Sequence, residues 1–296
     1  MPMERRAYYR NGLLPWLLIA PQLLLVLVFF YWPTSQALYW AFTLEQPWGG
    51  GNTWVWLDNF LTIFRSYEYW TTVLRSAFYA AVTTGISMAI ALTLAAFVDR
   101  SLKGTKLFQS IYVWPYAIAA PAAGVAFRFI FAPESGLIGS INHIWPGIWD
   151  PSTNGWHALA MVIVCHAWLG IGYNFIFFLA ALQMIPRSIS EAGAMDGARP
   201  FRRMLDLQLP LIAPTAFFLL IMNIISSFTD SFGLIDVMTE GGPIGQTEVM
   251  VYKIYFDGFK GLDYSGAAAQ SIVLMLLVIC LTFVQFKWVE RRVHYN

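Results

Sequence analysis

Four polar side chains recur at helical spacing in the apolar run near residues 211–232. Asn223, Ser226 or Ser227, and Asp230 follow i, i+3/i+4, i+7 spacing, so they form one stripe along a helix. A carboxylate costs about 2.5–3.5 kcal/mol at the centre of a bilayer and less toward its surface. The stripe is therefore expected to face a bundle interior or a water-filled cavity, where its groups can hydrogen-bond a polar molecule.

Arg128 is expected at a depth similar to that of Asp230. Counted at about 1.5 Å per residue from Leu107, the start of its own apolar run, it reaches the outer end of that run. One interpretation is structural: Arg128 and Asp230 form an ion pair, or the guanidinium extends to the lipid headgroups. The functional interpretation is that Asn223, Ser227 and Asp230 line a passage, in which Arg128 helps to hold an anionic group against the repulsion of Asp230. A stripe that only packs helices together is the alternative to this passage.

The chain carries no recognisable catalytic motif. It lacks the GxxxxGK[ST] phosphate loop, no serine lies in GxSxG, and no HExxH motif is formed by His143, His157, His166 or His294. His166 lies inside an apolar run, where it is either a proton relay or a hydrogen-bonding partner for another helix. We therefore predict a protein that is not an enzyme and that binds neither ATP nor a metal ion itself.

The segment before the polar stripe reads IPRSISEAGAMDGARPFRRMLDLQLPLIAP. Ser188 and Glu191 stand in S-x-x-E spacing, which predicts a capping box at the start of a short helix. Gly197 predicts a left-handed stop, and Pro200 suits the first turn of a second helix. Pro210 is expected to open the next apolar run. An ordinary interfacial helix would explain the arginines of this segment, but it would not explain the glycine bend between two helix starts.

The composition indicates a membrane protein. Hydrophobic residues make up 58% of the chain and charged residues only 12%, against roughly 25% charge in soluble domains. The mean hydropathy is +0.56. The net charge of +1 argues against a nucleic-acid partner, because phosphate backbones require a clustered basic surface. A chain of this composition is expected to have the lipid bilayer as its main solvent.

Six apolar runs are long enough to cross roughly 30 Å of hydrocarbon. We therefore predict an all-α integral membrane protein in which residues 1–296 form a single transmembrane domain. Pro115, Pro121 and Pro214 fall within the runs and predict kinks. The predicted spans are 13–32, 73–97, 107–131, 157–184, 211–232 and 265–287.

The Lys and Arg residues are distributed unevenly between the two sides. Thirteen of the 18 basic residues fall on the side that holds both termini and the segment before the polar stripe. By the positive-inside rule, this side is cytoplasmic. The basic residues assigned to it are Arg5, Arg6, Arg10, Arg100, Lys103, Lys106, Arg187, Arg199, Arg202, Arg203, Lys287, Arg291 and Arg292.

The segment before the stripe closely resembles the EAA loop of importer-type ABC permeases. The pattern of that loop is E-A-A, three residues, G, nine residues, I-x-L-P, and every spacing fits. Gly193 stands in place of the second Ala, and Leu207 stands in place of Ile. The residues that match, and to which the resemblance assigns coupling to an ATPase, are Glu191, Ala192, Gly193, Gly197, Leu209 and Pro210.

Further stretches resemble the carbohydrate-uptake (maltose-permease-like) family of binding-protein-dependent ABC importers. They include Tyr173-Asn174, Gly241-Gly242-Pro243 and TEVMVYKIYFDGF. Within that family, the chain resembles the A-type permeases of bacterial glycerol-3-phosphate importers. The resemblance implies six transmembrane helices in a type I ABC importer permease fold, with a cytoplasmic coupling helix in a loop at about 186–210.

The same resemblance implies a function and a set of partners. The chain would be a permease subunit that imports sn-glycerol-3-phosphate, with glycerophosphodiesters as further substrates, in a bacterial inner membrane. Its partners would be a second homologous permease, a dimer of ATPase subunits that use ATP and Mg, and a periplasmic binding protein. A sugar or another polyol is the alternative substrate. An ion-coupled secondary transporter is the alternative class, which Asp230 keeps open.

Overall fold

The computed structural model describes residues 13–45, 50–99 and 105–289. This part of the chain is built almost entirely of helices, with one short hairpin of β1 (Thr43–Glu45) and β2 (Asn52–Trp54), in which Thr43 pairs with Trp54. The α-helices are α1 (Leu13–Val26), α2 (Trp32–Ala41), α3 (Asp58–Arg65), α4 (Tyr67–Asp99), α5 (Thr105–Val113), α6 (Ala120–Ile130), α7 (Gly155–Gln183), α8 (Arg187–Met195), α9 (Pro200–Arg203), α10 (Leu209–Leu211), α11 (Ala213–Thr229), α12 (Phe232–Met238), α13 (Met250–Tyr255) and α14 (Tyr264–Val289).

Among the described residues, four helices are long and apolar enough to cross a membrane, and two bent pairs bring the number to six if each pair is one span. The first pair is bent by 100° and the second by 80°. The continuous helices are Pro15–Ala41, Tyr67–Asp99, Gly155–Gln183 and Tyr264–Lys287, and the pairs are Leu107–Ala117 with Ala120–Ile130 and Pro200–Leu211 with Ala213–Thr229.

The first span is longer than the predicted 13–32, because the helix continues through Pro33 to Ala41. Proline has no N–H and normally interrupts the hydrogen-bond ladder of a helix. Here a π-helical turn, Leu27–Tyr31, precedes the proline, and the Trp32 N–H bonds the Leu27 carbonyl five residues back. The wider turn lets the chain pass the proline without ending the helix.

The third predicted span, 107–131, is broken rather than merely kinked. Pro115 lies in a 3-10 turn, Trp114–Ala117, and Pro121 lies at the start of α6. Ala119, the boundary residue before α6, has an extended backbone, and Pro121 occupies the first turn of that helix, where its missing N–H is tolerated. The two prolines therefore place a sharp break in the middle of the span.

Helices α4 and α7 form the centre of the bundle. Small residues of α4, such as Ala91 and Ala95, let α7 approach closely, where Phe175 and Phe178 are buried against them. A second buried cluster joins these helices to α6 and α12, and a third joins α2, α4 and α14. The helices α8, α9 and α10 lie at the end of the bundle where α4 and α7 finish. We call the opposite end, with segments 42–45, 50–66, 131–154 and 230–263, the loop end.

A charged cluster ties three helices together at the loop end. Lys253 Nζ donates to Glu68 Oε1 at 2.9 Å and lies 3.3 Å from Asp257 Oδ2, to which Gln270 Nε2 donates at 2.7 Å. Burial lowers the pKa of Lys253, but Glu68 and Asp257 outweigh it, so the pKa lies above its ordinary value. The raised pKa means that this stabilisation is present at neutral pH and is lost as the pH rises through that pKa.

Lys253→Met is expected to destabilise the loop end at neutral pH. The substitution removes hydrogen bonds to two carboxylates, which corresponds to about 1–3 kcal/mol. Thermal unfolding of the purified protein should show the loss at pH 7, and the difference from wild type should shrink at a pH above the Lys253 pKa. Lys260→Met, a change at an exposed lysine nearby, is the control. Equal unfolding temperatures for both variants would contradict the prediction.

Candidate functional site

The first helix of the EAA-like segment begins earlier than the capping box predicts. The helix starts at Arg187 with Pro186 as the boundary residue, and no side chain caps it. Ser188 therefore lies in the first turn and Glu191 lies further along the helix, so the predicted capping box is wrong. The reason is that Pro186 has an extended backbone and its carbonyl accepts from Ile189 N at 3.1 Å, which begins the ladder without a side-chain cap.

The end of this helix is as predicted. Gly197 has φ +77°, the left-handed region that favours glycine. Ala198 N donates to Gly193 O at 3.0 Å, and Gly197 N donates to Ala194 O at 3.1 Å. These two bonds form a Schellman motif, which satisfies carbonyls at the helix end and reverses the chain.

The second helix starts at Pro200 as predicted, but Pro210 does not open span 5. The helix runs on from α9 through a π-helical turn, Met204–Gln208, into α10, and the Leu209 N–H bonds the Met204 carbonyl. As at Pro33, the wide turn accommodates a proline that lacks an N–H. The break falls at Ile212, after which α11 begins with Pro214 in its first turn.

The two short helices are packed against each other. Arg203 Nη1 donates to the Ser190 carbonyl at 3.1 Å, and Gln208 Nε2 lies 3.4 Å from Ser190 Oγ. Ala192 and Met195 are both exposed, and the exposed fraction of Met195 is 88%. The segment thus presents a small apolar knob on two helices that are joined by these hydrogen bonds.

The two departures from the EAA pattern are in contact with each other. A Cβ at Gly193 would lie 2.6 Å from Leu207 Cδ1. Leu207 therefore occupies the space that the methyl group of an alanine would require. The match to the EAA pattern does not predict this contact, because the two positions are separated by 13 residues and meet only after the Gly197 turn.

Gly193→Ala is expected to disturb the packing unless position 207 changes with it. Alanine gains about 1 kcal/mol of helix propensity, but its Cβ requires the terminal methyl group of the partly exposed Leu207 side chain to move. Leu207→Ile moves one methyl group closer to the backbone, so the two substitutions should be non-additive by about 0.5–3 kcal/mol. Unfolding temperatures of the wild type, both single variants and the double variant measure this, with the exposed Ala192→Gly as control. Additive effects would show that the two positions do not compensate.

The polar stripe of α11 lines a cavity of about 330 Å³ between α4, α7, α11 and the break in span 3. Asn223, Ser226, Ser227 and Asp230 all contribute to its wall, so the structure brings the predicted stripe together. Among the residues of the described ranges that line this cavity, none is a lysine or arginine. The other lining residues are Thr83, Ser87, Tyr116, Ile118, Ala120, His166, Leu169, Gly170, Tyr173, Met222 and Leu234.

Arg128 does not join the stripe. Its Nη1 donates to the Val237 carbonyl at 3.2 Å, and the side chain lines a separate cavity of about 360 Å³ at the loop end. Within the described part of the chain, Arg128 forms no ion pair with Asp230. Helix α6 packs along α12, which directs Arg128 to the α12 carbonyl. Depth counted along separate helices could not predict this, because it ignores the bend between α5 and α6.

Asn223 takes part in a hydrogen-bond network that sequence reasoning missed. Its Nδ2 donates to Asn174 Oδ1 at 2.7 Å, and Asn174 Nδ2 donates to Asn223 Oδ1 at 3.0 Å and to Ser87 Oγ at 2.7 Å. Asn174 is fully buried. The network links α4, α7 and α11, so Asn223 packs helices together as well as facing the cavity. A lone asparagine inside the apolar run of α7 was the available signal.

His166 forms the interhelical hydrogen bond that was one of its two interpretations. Its Nδ1 is bonded to the Tyr79 hydroxyl of α4. The same imidazole lines the cavity of the polar stripe, as does Thr83, a buried residue whose hydroxyl has no hydrogen-bond partner among the described residues. The wall of the cavity therefore offers hydroxyl, amide, imidazole and carboxylate groups.

Comparison with known proteins gives the family. Residues 81–295 match the family described as the binding-protein-dependent transport system inner membrane component. The chain belongs to this family. It is 43% identical over 292 residues to the sn-glycerol-3-phosphate transport system permease protein UgpA of Rhizobium meliloti, covering 99% of this chain and 100% of the relative. It is also 43% identical over 291 residues to UgpA of Pectobacterium atrosepticum, covering 98% and 99%.

Two solved structures have the same fold. A chain of a bacterial ABC transporter involved in the import of the acidic polysaccharide alginate is 22% identical, with a TM-score of 0.78 and coverage of 95% of this chain and 96% of that one. A chain of the bacterial alginate ABC transporter in complex with an alginate pentasaccharide-bound periplasmic protein is 20% identical, with a TM-score of 0.80 and 96% coverage of both chains. The chain is thus a permease subunit of an ABC importer, and the predicted all-α, type I importer permease fold is confirmed.

Proposed function

We propose that this chain is a permease subunit of an ATP-driven importer of sn-glycerol-3-phosphate, with glycerophosphodiesters as further substrates. The observation that carries the proposal is the 43% identity, over essentially the whole chain, to permeases named for that substrate. The alginate transporters share only the fold at 20–22% identity, so they do not favour a sugar. In this proposal the chain catalyses nothing and binds neither ATP nor Mg²⁺, which its ATPase partners use.

The surface of the segment at 186–210, for which we propose the role of coupling loop, supports an ATPase partner. Its exposed knob of Ala192 and Met195 has the size and apolar character to enter a cleft of an ATPase subunit. A second homologous permease, an ATPase dimer and a periplasmic binding protein complete the proposed importer. The first helix supports a second permease, because residues 16–36 are exposed and only α2 packs against the bundle.

We further propose that the coupling loop and both termini are cytoplasmic, in a bacterial inner membrane. The loop lies beside the ends of α4 and α7, where a cavity of about 660 Å³ is lined by Asp99, Gln183 and Arg187. The charge asymmetry of the sequence supports this orientation. Seven of the 13 basic residues behind it lie outside the described residues: Arg5, Arg6, Arg10, Arg100, Lys103, Arg291 and Arg292.

Cysteine labelling tests the orientation. In a variant without Cys165 and Cys280, a cysteine at Ser190 should react only with membrane-permeant reagents, because the coupling loop is cytoplasmic. A cysteine at Ser152, at the exposed loop end, should also react with impermeant reagents. Labelling of position 190 from outside intact cells would invert the proposed orientation.

Reconstitution tests the function. Co-expressed with its neighbouring subunits, the chain should co-elute with an ATPase, and proteoliposomes should import radiolabelled sn-glycerol-3-phosphate only with ATP and a binding protein. Uptake of a sugar in its place would establish the alternative substrate. Uptake that requires an ion gradient and no ATPase would contradict the proposal.

A further inference from the structure

A cavity of about 770 Å³ lies at the loop end, away from both the polar stripe and the coupling loop. One face of α4, the start of α7 and the segment after α12 form its walls. The residues that line it are Thr71, Leu74, Arg75, Phe78, Thr153, Asn154, Gly155, Trp156, Leu159 and Gln246.

Arg75 is the charged side chain of this wall, since no other residue that lines the cavity in the described ranges is ionised at neutral pH. Its Nη1 donates to the Glu248 carbonyl at 2.9 Å, which fixes the guanidinium beside the cavity. In the described structure Arg75 forms no ion pair. A guanidinium carries several N–H donors in a planar fork that matches phosphate oxygens, so donors remain for a ligand.

Neutral polar groups and an aromatic pair surround this cation. Gln246 lies across Gly155, where a Cβ would be 1.7 Å from Gln246 Oε1, so glycine is required for this approach. Phe78 and Trp156 form an edge-to-face pair with ring centroids 5.8 Å apart. The cavity therefore combines one cation, hydroxyl and amide groups, and an apolar wall.

The nearby carboxylates leave the charge of Arg75 only partly compensated. Glu248 and Glu68 are the acidic residues that interact electrostatically with Arg75. Glu68 is paired with Lys253, and neither carboxylate lines the cavity. Because its charge is partly compensated, Arg75 attracts an anion only moderately, which suits a ligand that must also dissociate.

We propose that this cavity binds a phosphate group carried on a monoester or diester, with Arg75 as its charged contact. The polar-stripe cavity contains no basic side chain among its lining residues, so Arg75 supplies a charge that the proposed passage lacks. The phosphate is carried either by a soluble phosphorylated polyol or by the headgroup of a phospholipid that lies against the exposed Trp156 and Leu74. The first of these two ligands rests on the proposed function.

The test uses the whole importer in lipid nanodiscs and proteoliposomes. Arg75→Gln removes the charge. Thr71→Glu keeps the hydrogen bond from Arg75 to the Glu248 carbonyl. It places a carboxylate four residues before Arg75 on the same helix, where an i,i+4 ion pair neutralises the guanidinium charge. The control is Arg65→Gln, the same charge change at an exposed arginine outside the cavity. The measurements are the KM for sn-glycerol-3-phosphate uptake and, by native mass spectrometry, the number of retained phosphatidylglycerol molecules.

The two sources of phosphate give different results. A soluble ligand predicts that both cavity variants raise KM about tenfold or more, with lipid retention unchanged. A lipid ligand predicts the loss of retained phosphatidylglycerol from both variants, with KM unchanged. If both variants assemble and match Arg65→Gln in both measurements, the proposal is wrong. A wild-type importer that takes up no phosphorylated substrate would refute the proposed function, while lipid retention would still decide this inference.

Discussion

Gly197→Val is expected to uncouple ATP hydrolysis from transport. Gly197 has φ +77°, and a β-branched residue there costs on the order of 1–2 kcal/mol. No atom lies within 4 Å of the position of an added Cβ, so the free-energy cost comes from the backbone conformation and not from a steric clash with a neighbouring residue. The chain would relieve it by leaving the left-handed region, which misdirects the second helix of the coupling loop.

The measurement is ATP hydrolysis by the reconstituted importer with and without ligand-loaded binding protein, together with uptake. Uptake should fall sharply, and hydrolysis should no longer respond to the ligand, while membrane insertion persists. Gly197→Asn is the matched control, because asparagine tolerates the left-handed region. Normal coupling in the valine variant would remove the proposed role of the loop. Glu191→Ala should not weaken a helix cap, because the structure contains no capping box there.

Ser227→Leu is expected to abolish uptake by filling the polar-stripe cavity. Ser227 is 3% exposed and lines a space of only about 330 Å³. Leucine replaces a hydroxyl by a larger apolar group, so it narrows the proposed passage and removes a hydrogen-bonding partner. Uptake in proteoliposomes measures the effect, and co-elution of the subunits shows whether the importer still assembles.

Thr93→Leu is the control for this substitution, since Thr93 is exposed on α4 and its hydroxyl donates to the Ala89 carbonyl of the same helix. Asn223→Leu is a less specific test. It would remove the two hydrogen bonds that join Asn223 to the buried Asn174 amide, at about 1–3 kcal/mol, so lost uptake would combine blockage with lost stability. If Ser227→Leu transports normally, the stripe packs helices and the substrate passes elsewhere.

Local chemistry explains which features the sequence predicted. Gly197 and Pro200 fixed the bend and the second helix start, because left-handed backbone and first-turn proline are properties of single residues. Asn223, Ser226 and Ser227 lie on one face because they fall within one regular helix, and Asp230 is the boundary residue that directly follows it. These inferences required no knowledge of neighbouring elements.

The missed features depend on contacts between distant segments. Arg128 lies beside Val237 because α6 turns away from α5 and packs on α12. Asn174 pairs with Asn223 across two spans, and Gly193 meets Leu207 across the Gly197 turn. No spacing within a single helix reveals such pairs.

The π-helical turns before Pro33 and Pro210 have a consequence for the register of these helices. Each such turn holds one residue more than a regular helix, and one residue corresponds to a rotation of about 100°. Side chains before and after the turn therefore follow two different face patterns. Deleting one residue within Met204–Gln208 would restore a single pattern from Pro200 to Leu211. It would also turn Arg203 and Ser190 to a different side of the chain relative to span 5, so a one-residue insertion sets the direction in which the coupling loop faces.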